Sequence, residues 1–141
     1  MDFEVTVDIA APPRVVWEVI RDVERWHEWT ASITSVKRLD AGPLQLGSRA
    51  IVQQPKLPTN TFTVTKLEPD RGFDWESRSP GLTGIGHHWI EAIATGSRVT
   101  LGVDFRGLLA PIVRLLYGGL TQRYIKMEAA GLKRRSEDGR R

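Results

Sequence analysis

The last third of the chain, residues 108–135, reads LLAPIVRLLYGGLTQRYIKMEAAGLKRR and decides the fold. Apolar or small residues recur through it mostly at steps of three and four, the spacing of one face of an α-helix. They are Val113, Leu116, Tyr117, Leu120, Tyr124, Met127 and Gly131. The intervening polar residues fall mostly on the opposite side, which we expect to face water; they are Arg114, Gln122, Arg123, Lys126 and Glu128. The pattern predicts one long amphipathic helix, which the rest of the chain must cover.

Two adjacent glycines, Gly118 and Gly119, interrupt the middle of this predicted helix. Each glycine costs about 1 kcal/mol relative to alanine in a helix interior, so the pair needs a reason. One interpretation is a bend or a close approach of the sheet at this point. The other is a hinge that lets the helix move and admit a ligand.

The composition is that of a globular protein with one domain. The chain has 141 residues, of which 40% are hydrophobic and 26% charged, and it contains no cysteine. Disulfides and cysteine-based metal sites or nucleophiles are therefore excluded. No apolar run approaches the roughly 20 residues that span a bilayer, and the N-terminus has no basic signal-peptide region. We expect a cytoplasmic protein without stable membrane insertion.

The charge distribution argues against nucleic-acid binding. The chain carries 20 basic and 17 acidic residues, a net charge of +3. From Leu132 onward, five basic and two acidic residues give the same +3, so the body of the domain is neutral. We expect a ligand-cavity domain over residues 1–135, a basic, disordered tail over 136–141, and no nucleic-acid partner.

Upstream of the long helix, the sequence predicts an antiparallel sheet. Residues 2–10, DFEVTVDIA, alternate apolar and polar side chains as a half-buried strand does. Pro12 and Pro13 then start a short helix, and a second one is predicted over residues 21–29. Six strand-like runs separated by turn signals follow. The predicted fold is α+β: a seven-stranded curved antiparallel sheet around a long C-terminal helix, with two short helices after strand 1 and a cavity inside.

Three stretches resemble the START-like superfamily, also called SRPBCC, whose fold is the helix-grip. They are IAAPPRVVWEVIRDVERWHEWTASI (9–33), LGSRAIVQQPKLP (46–58) and GHHWIEAIATGSRVTLGVDFRG (86–107). The superfamily includes lipid-transfer START domains, pollen allergens and polyketide cyclases/dehydrases. The resemblance implies a cavity between sheet and final helix that holds a hydrophobic ligand. It implies no catalytic residues, because members share no single catalytic constellation.

The adjacent histidines His87 and His88 are the first candidates for chemistry. Neighbouring strand residues point to opposite faces, so the two cannot easily share one metal ion, and we expect no metal site. We favour the strand phase that turns His88 and Ile90 inward, because the opposite phase would bury Glu91 beside Trp89. His88 would then line the cavity, either as a hydrogen-bonded interior histidine or as a catalytic base.

The remaining candidates are aromatic and apolar residues that could surround a flat ligand or else belong to the core. With His88, the predicted ligand-binding residues are Trp26, Trp29, Trp75, Ile90, Phe105, Leu116, Tyr117, Leu120 and Tyr124. The tyrosines would offer hydroxyl groups to the cavity, or reach solvent and backbone instead.

We expect the protein to bind or transport a small hydrophobic molecule, such as a lipid, in this cavity. The alternative is an enzyme resembling polyketide cyclases, aromatases or dehydratases, which would act in the same place. A cyclase needs several converging polar groups, and few candidates stand out, so binding is favoured. We expect no cofactor, and a homodimer is kept as an option for the oligomeric state.

Overall fold

A computed structural model describes residues 1–138. Its seven strands form one antiparallel sheet in the order β1-β7-β6-β5-β4-β3-β2, and a long helix lies against one face. The elements are β1 (Phe3–Ile9), α1 (Pro13–Arg21), a 3₁₀ helix (Val23–Glu28), β2 (Ser35–Arg38), β3 (Arg49–Gln53), β4 (Asn60–Glu68), β5 (Gly72–Ser79), β6 (Leu82–Ile93), β7 (Gly96–Arg106) and α2 (Ala110–Asp138). The predicted α+β helix-grip fold is confirmed.

From β2 to β6, each strand pairs with the strand that follows it in the sequence. β1 is the exception, because it pairs with the final strand, β7. β6 and β7 are the longest strands, and they lie between β1 at one edge and β5 at the centre of the sheet. Their register places His88 opposite Phe73 on β5 and Leu101 on β7, and the side chains of all three point inward and are buried. Outward residues alternate with them, as the period of a strand requires.

The two short elements after β1 close one end of the sheet. α1 begins at Pro13, where proline is tolerated because the first helical N–H has no intrahelical partner. The second predicted helix is a 3₁₀ helix, and Asp22 makes no side-chain cap for it. Val23 and Trp26 from this element are buried in the main core, which also contains Trp17 of α1.

The final helix runs unbroken through both glycines to Asp138, which includes the first three residues of the predicted tail; residues 139–141 lie outside the described residues. Gly118 faces β1, where an added Cβ would lie 2.9 Å from the ring of Phe3. A Cβ on Gly119 would meet nothing within 4 Å. The first glycine therefore serves a close approach of helix and sheet, while the second does not.

The buried face of α2 differs from the predicted apolar stripe. Tyr124 and Gly131 are buried as expected, but Leu116 is 69% exposed. The full set of buried residues is Ala110, Gly118, Thr121, Tyr124, Ile125, Ala129, Gly131, Leu132 and Ser136. Close packing rather than hydrophobicity selects this face, because four of its members are glycine or alanine and three carry hydroxyl groups.

Of the three glycines in α2, Gly131 lies closest to the rest of the molecule. A Cβ at this position would lie 1.9 Å from the backbone oxygen of Trp29 and 3.2 Å from its ring. No side chain fits in that space, so only glycine lets the helix rest on the segment that follows the 3₁₀ helix.

Candidate functional site

A cavity of about 340 Å³ lies between the concave face of the sheet and α2. Strands β5, β6 and β7 supply one wall and the helix supplies the other. Pro58, Leu82 and Tyr117 line the end near the start of α2, and Trp26 and Glu128 line the end near the 3₁₀ helix. At 1.5 Å per helical residue, Tyr117 and Glu128 are about 16 Å apart along the helix, which suits a small organic molecule.

Six of the predicted ligand-binding residues line this cavity. They are Trp26, Trp75, His88, Phe105, Tyr117 and Tyr124. The hydroxyl of Tyr124 donates its proton to the backbone oxygen of Pro55, so it fixes the loop after β3 and can offer a ligand only an acceptor. Tyr117 is 37% exposed and stands at the mouth.

The other four predicted residues do not line the cavity. Trp29 is buried behind Trp26, with ring centroids 5.9 Å apart, because α2 packs on it at Gly131. Ile90 faces inward but lies in the core beyond the cavity. Leu116 points to the outside of α2, and Leu120 is half-buried away from the cavity. The prediction that Leu116 and Leu120 line the cavity was wrong. It assigned them to the buried face of the helix because they are apolar, whereas packing against the sheet selects other residues.

Aromatic rings in mutual contact form the floor of the cavity. The ring centroids of Trp26 and Trp75 are 5.2 Å apart, and Phe62 lies 5.2 Å from Trp75. The indole N–H of Trp26 donates to the backbone oxygen of Ile20 at 2.9 Å, which fixes its orientation. Such interlocked rings give the cavity a rigid, preformed shape and a polarisable surface.

His88 takes the inward strand phase that the sequence favoured. Its ring stacks on Phe73 with centroids 4.5 Å apart, and its Nδ1 lies 3.2 Å from the backbone oxygen of Phe73. A carbonyl only accepts, so Nδ1 carries the proton and Nε2 is left as an acceptor. Burial lowers the pKa of His88 to about 4, and the Phe73 hydrogen bond opposes this shift only in part. The ring is therefore neutral at pH 7.

Glu128 is the functional candidate that the sequence reasoning missed. The sequence pattern places Glu128 on the solvent-facing side of α2. In the structure it lines the cavity and accepts a hydrogen bond from the hydroxyl of Ser32 at 3.0 Å. Glu128 is partly buried. Burial raises the pKa of Glu128 to about 7, although the Ser32 hydrogen bond acts in the opposite direction. Protonated and ionised forms therefore both exist near neutral pH.

One signal for Glu128 is present in the sequence. It lies four residues after Tyr124 and four before Leu132, two buried residues, so helical spacing places it on their face. A stripe drawn only through apolar residues leaves such a carboxylate out. Ser32 gave no comparable signal, because it lies in an irregular segment between the 3₁₀ helix and β2.

His87, next to His88, lies in an ionic cluster on the outer face of the sheet. Its Nδ1 is 2.8 Å from Asp74 and its Nε2 is 2.9 Å from Asp104, while Trp89 donates to Asp74 at 2.7 Å. The hydrogen bond with Asp74 is the main cause that raises the pKa of His87, against the effect of burial. The cluster joins β5, β6 and β7 from behind the cavity. Within residues 1–138, no three metal-binding side chains are grouped to hold an ion.

Large apolar side chains are exposed around the start of α2. Leu108 is 91% exposed, Leu115 83% and Ile112 55%. Leu109 contacts the turn at Gly81, which connects β5 and β6 at the mouth of the cavity. Among residues 1–138, no helix is both long enough and apolar enough to cross a bilayer.

Fold and cavity together define a helix-grip protein with a partly open, mainly apolar pocket that has an aromatic floor. The chain belongs to the family described as polyketide cyclase / dehydrase and lipid transport, which matches residues 1–137. A comparison with functionally curated proteins gave no match.

Several solved structures have the same fold as this chain. The Zhui aromatase/cyclase from Streptomyces sp. R1128 has 20% sequence identity and a TM-score of 0.79, with 98% of this chain and 94% of that chain covered. A hypothetical protein from Helicobacter pylori has 15% identity and a TM-score of 0.79, over 94% and 84% of the two chains. Ara h 8.0201 has 14% identity and a TM-score of 0.71, over 95% of both. At these identities the likeness shows the fold.

Proposed function

We propose that the protein binds a small, largely apolar molecule in the cavity between the sheet and α2. The observation that supports this most directly is the preformed aromatic pocket, in which Trp26, Trp75 and His88 are held by their own contacts. A pocket that keeps its shape without ligand loses little conformational entropy when it is filled. Glu128 adds a polar group that would orient the ligand.

A cavity-filling substitution tests this function. Val103 faces the cavity from β7, so Val103→Trp would occupy the space of the ligand. Thr100 lies on the opposite face of the same strand, and Thr100→Trp is the matched control. We expect an uncharged aromatic probe, naphthylmethanol, to bind the wild type and the control equally in isothermal titration calorimetry. Binding to Val103→Trp should weaken roughly ten-fold or more, a change of about 1.4 kcal/mol.

Two results would contradict the proposal. One is the absence of binding by any apolar probe, together with native mass spectra of protein from its own host that show no retained molecule. The other is equal binding to the wild type and to Val103→Trp, because the probe would then occupy a different site.

A second candidate is an enzyme of the cyclase, aromatase or dehydratase type, and the near-neutral pKa of Glu128 favours it. A carboxyl group that is half protonated at neutral pH can both donate and accept a proton. In loss of water from a β-hydroxyketone, the carboxylate would remove the proton next to the ketone. The alkene bond would then form as hydroxide leaves and takes up a proton to become water.

An aryl β-hydroxyketone tests the enzyme directly, since formation of the conjugated enone is followed by its absorbance. We expect turnover by the wild type to be lost in Glu128→Gln, while naphthylmethanol still binds that variant. No enone above the uncatalysed rate, with the ketone bound, would leave the protein as a binding module.

A further inference from the structure

We infer that the ligand carries a basic nitrogen, and that its protonated form pairs with the Glu128 carboxylate while its apolar part lies against the aromatic floor. This inference rests on the proposed binding function and adds the chemical class of the ligand. It follows from the charges, the acceptors and the rings that line the cavity.

The first argument is charge. Among residues 1–138, Glu128 is the only carboxylate that lines the cavity, and no lysine or arginine lines it. His88 supplies no positive charge because it is neutral at pH 7. His87 is also a lining residue, but both nitrogens of its ring bond Asp74 and Asp104 on the outer face, so its charge is paired there. An anionic ligand would therefore meet no counter-charge and a like charge, which disfavours it in a site of low dielectric constant.

The second argument concerns free acceptors. Ser32 donates to Oε2 of Glu128, and no hydrogen bond from residues 1–138 occupies Oε1. His88 uses Nδ1 as a donor to Phe73, and its Nε2 likewise accepts from none of these residues. An ammonium group has up to three N–H donors and no acceptor, so it complements unpaired acceptors better than a ketone or an ether does.

The third argument is the surroundings of the charge. Trp26, Trp75 and Phe62 present aromatic rings to the same cavity. Aromatic faces attract cations, and this attraction is larger where water is excluded. A buried carboxylate without a counter-charge is costly even when a hydroxyl donates to it, and a cationic ligand would supply that counter-charge and favour the ionised form of Glu128.

Three probes of the same shape test the inference: naphthylmethylamine, naphthylmethanol and naphthoate. At pH 8, where Glu128 is ionised, we expect the amine to bind the wild type roughly ten-fold or more tightly than the alcohol. Naphthoate should bind most weakly. Between pH 5 and pH 8 the preference for the amine should grow as Glu128 ionises. Two histidines are also among the lining residues. His88, with a pKa of about 4, stays neutral over this range. His87, whose pKa is raised, directs its ring to Asp74 and Asp104 on the outer face and is unchanged in Glu128→Gln.

Glu128→Gln removes the charge and keeps the shape, so the amine should bind it no better than the alcohol at either pH. Glu91→Gln is the matched control, because Glu91 is an exposed carboxylate at the end of β6 and loses the same charge outside the cavity. This control should keep the wild-type preference. Circular dichroism and naphthylmethanol binding show that each variant is folded.

The outcomes separate the two proposals. If naphthylmethanol binds and the amine shows no preference, or keeps its preference in Glu128→Gln, the inference about the basic nitrogen is wrong and the binding function stands. If none of the three probes binds the wild type, the binding function itself fails.

Discussion

His87 and His88 are neighbours in the chain, yet the two faces of the sheet give them opposite properties. On the outer face, Asp74 and Asp104 bracket His87 and raise its pKa. On the inner face, burial lowers the pKa of His88 to about 4, and burial also raises the pKa of Glu128 to about 7. The outer face therefore stabilises charged forms and the inner face neutral ones. Histidine thus has two roles here: His87 links Asp74 and Asp104 across three strands on the outer face, and His88 forms part of the cavity wall on the inner face.

The inner face should show the larger effect when its acid is neutralised. The folded pKa of Glu128 is raised above the unfolded value of 4.5, so wild-type stability should fall as pH rises from 4.5 to about 7. We expect Glu128→Gln to match the wild type near pH 4.5 and to be more stable at pH 8, by up to about 3 kcal/mol. Urea unfolding at both pH values measures this difference. Equal stability at pH 8 would mean that Glu128 is solvated like a surface acid.

Removing the inner histidine should have the next largest effect. His88→Ala would leave a hole between Phe73 and Trp26, and we expect a loss of about 2 kcal/mol in the free energy of unfolding. His88→Phe keeps most of the volume and should lose less than about 1.5 kcal/mol. Burial lowers the folded pKa of His88 to about 4, below the unfolded value of 6.5, so its contribution to stability is present above pH 6.5 and falls as pH drops below that value. Both losses should therefore be smaller at pH 6 than at pH 8, by roughly 0.8 kcal/mol. Equal losses at the two pH values would contradict the inner-face assignment.

The outer histidine should behave in the opposite way. Its folded pKa is raised, so its stabilising effect is fully present below the unfolded value of 6.5 and disappears as pH rises through the folded value. Although burial raises the pKa of Asp74, hydrogen bonds from His87 and Trp89 leave it below its ordinary value of 3.8, so this partner stays ionised over the whole range in which His87 titrates. We expect His87→Gln to cost about 1 kcal/mol at pH 5.5 and less at pH 8.5, as thermal unfolding at the two pH values would show.

The same contrast between faces extends to the helix, where Gly118 faces the sheet and Gly119 faces open space. Gly119→Ala should raise stability by roughly 0.5–1 kcal/mol, because only helix propensity changes. Gly118→Ala should gain less or lose stability, since the ring of Phe3 must move. A hinge at this site predicts in addition that Gly119→Ala slows release of naphthylmethanol in stopped-flow measurements. Unchanged release would leave Gly118 as a packing residue and Gly119 without a role in gating.

The sequence predicted the architecture because its signals are local. Alternation in residues 2–10 and 98–106 and the steps of three and four after Leu108 each report one element, and short connections leave few ways to join them. The choice of phase at His88 also followed from a local rule, that Glu91 stays in water. These predictions did not depend on the distance between elements.

Which residues line the cavity depends on how closely the helix and the sheet approach each other. The sequence does not report this distance, so the prediction of the cavity residues was incomplete. Leu116 and Leu120 satisfy the helical period but lie away from the cavity, since α2 is rotated to bring Gly118 and Gly131 against the other elements. The same rotation brings Glu128 inside to meet Ser32. Which face of a helix is buried is decided by the closest backbone contacts, and glycine positions record these better than leucines do.

The contact at Gly131 has a consequence for how such a pocket changes over evolution. The helix rests directly on the carbonyl of Trp29 there, so the depth of the cavity is set by a residue that does not line it. A methyl group added at Gly131 would push α2 away from Trp29. This shift would separate Ser32 from Glu128 and enlarge the cavity through a single substitution. The size of the pocket therefore depends on Gly131, which sets the distance between α2 and Trp29. The residues that line the walls adjust how well a ligand fits.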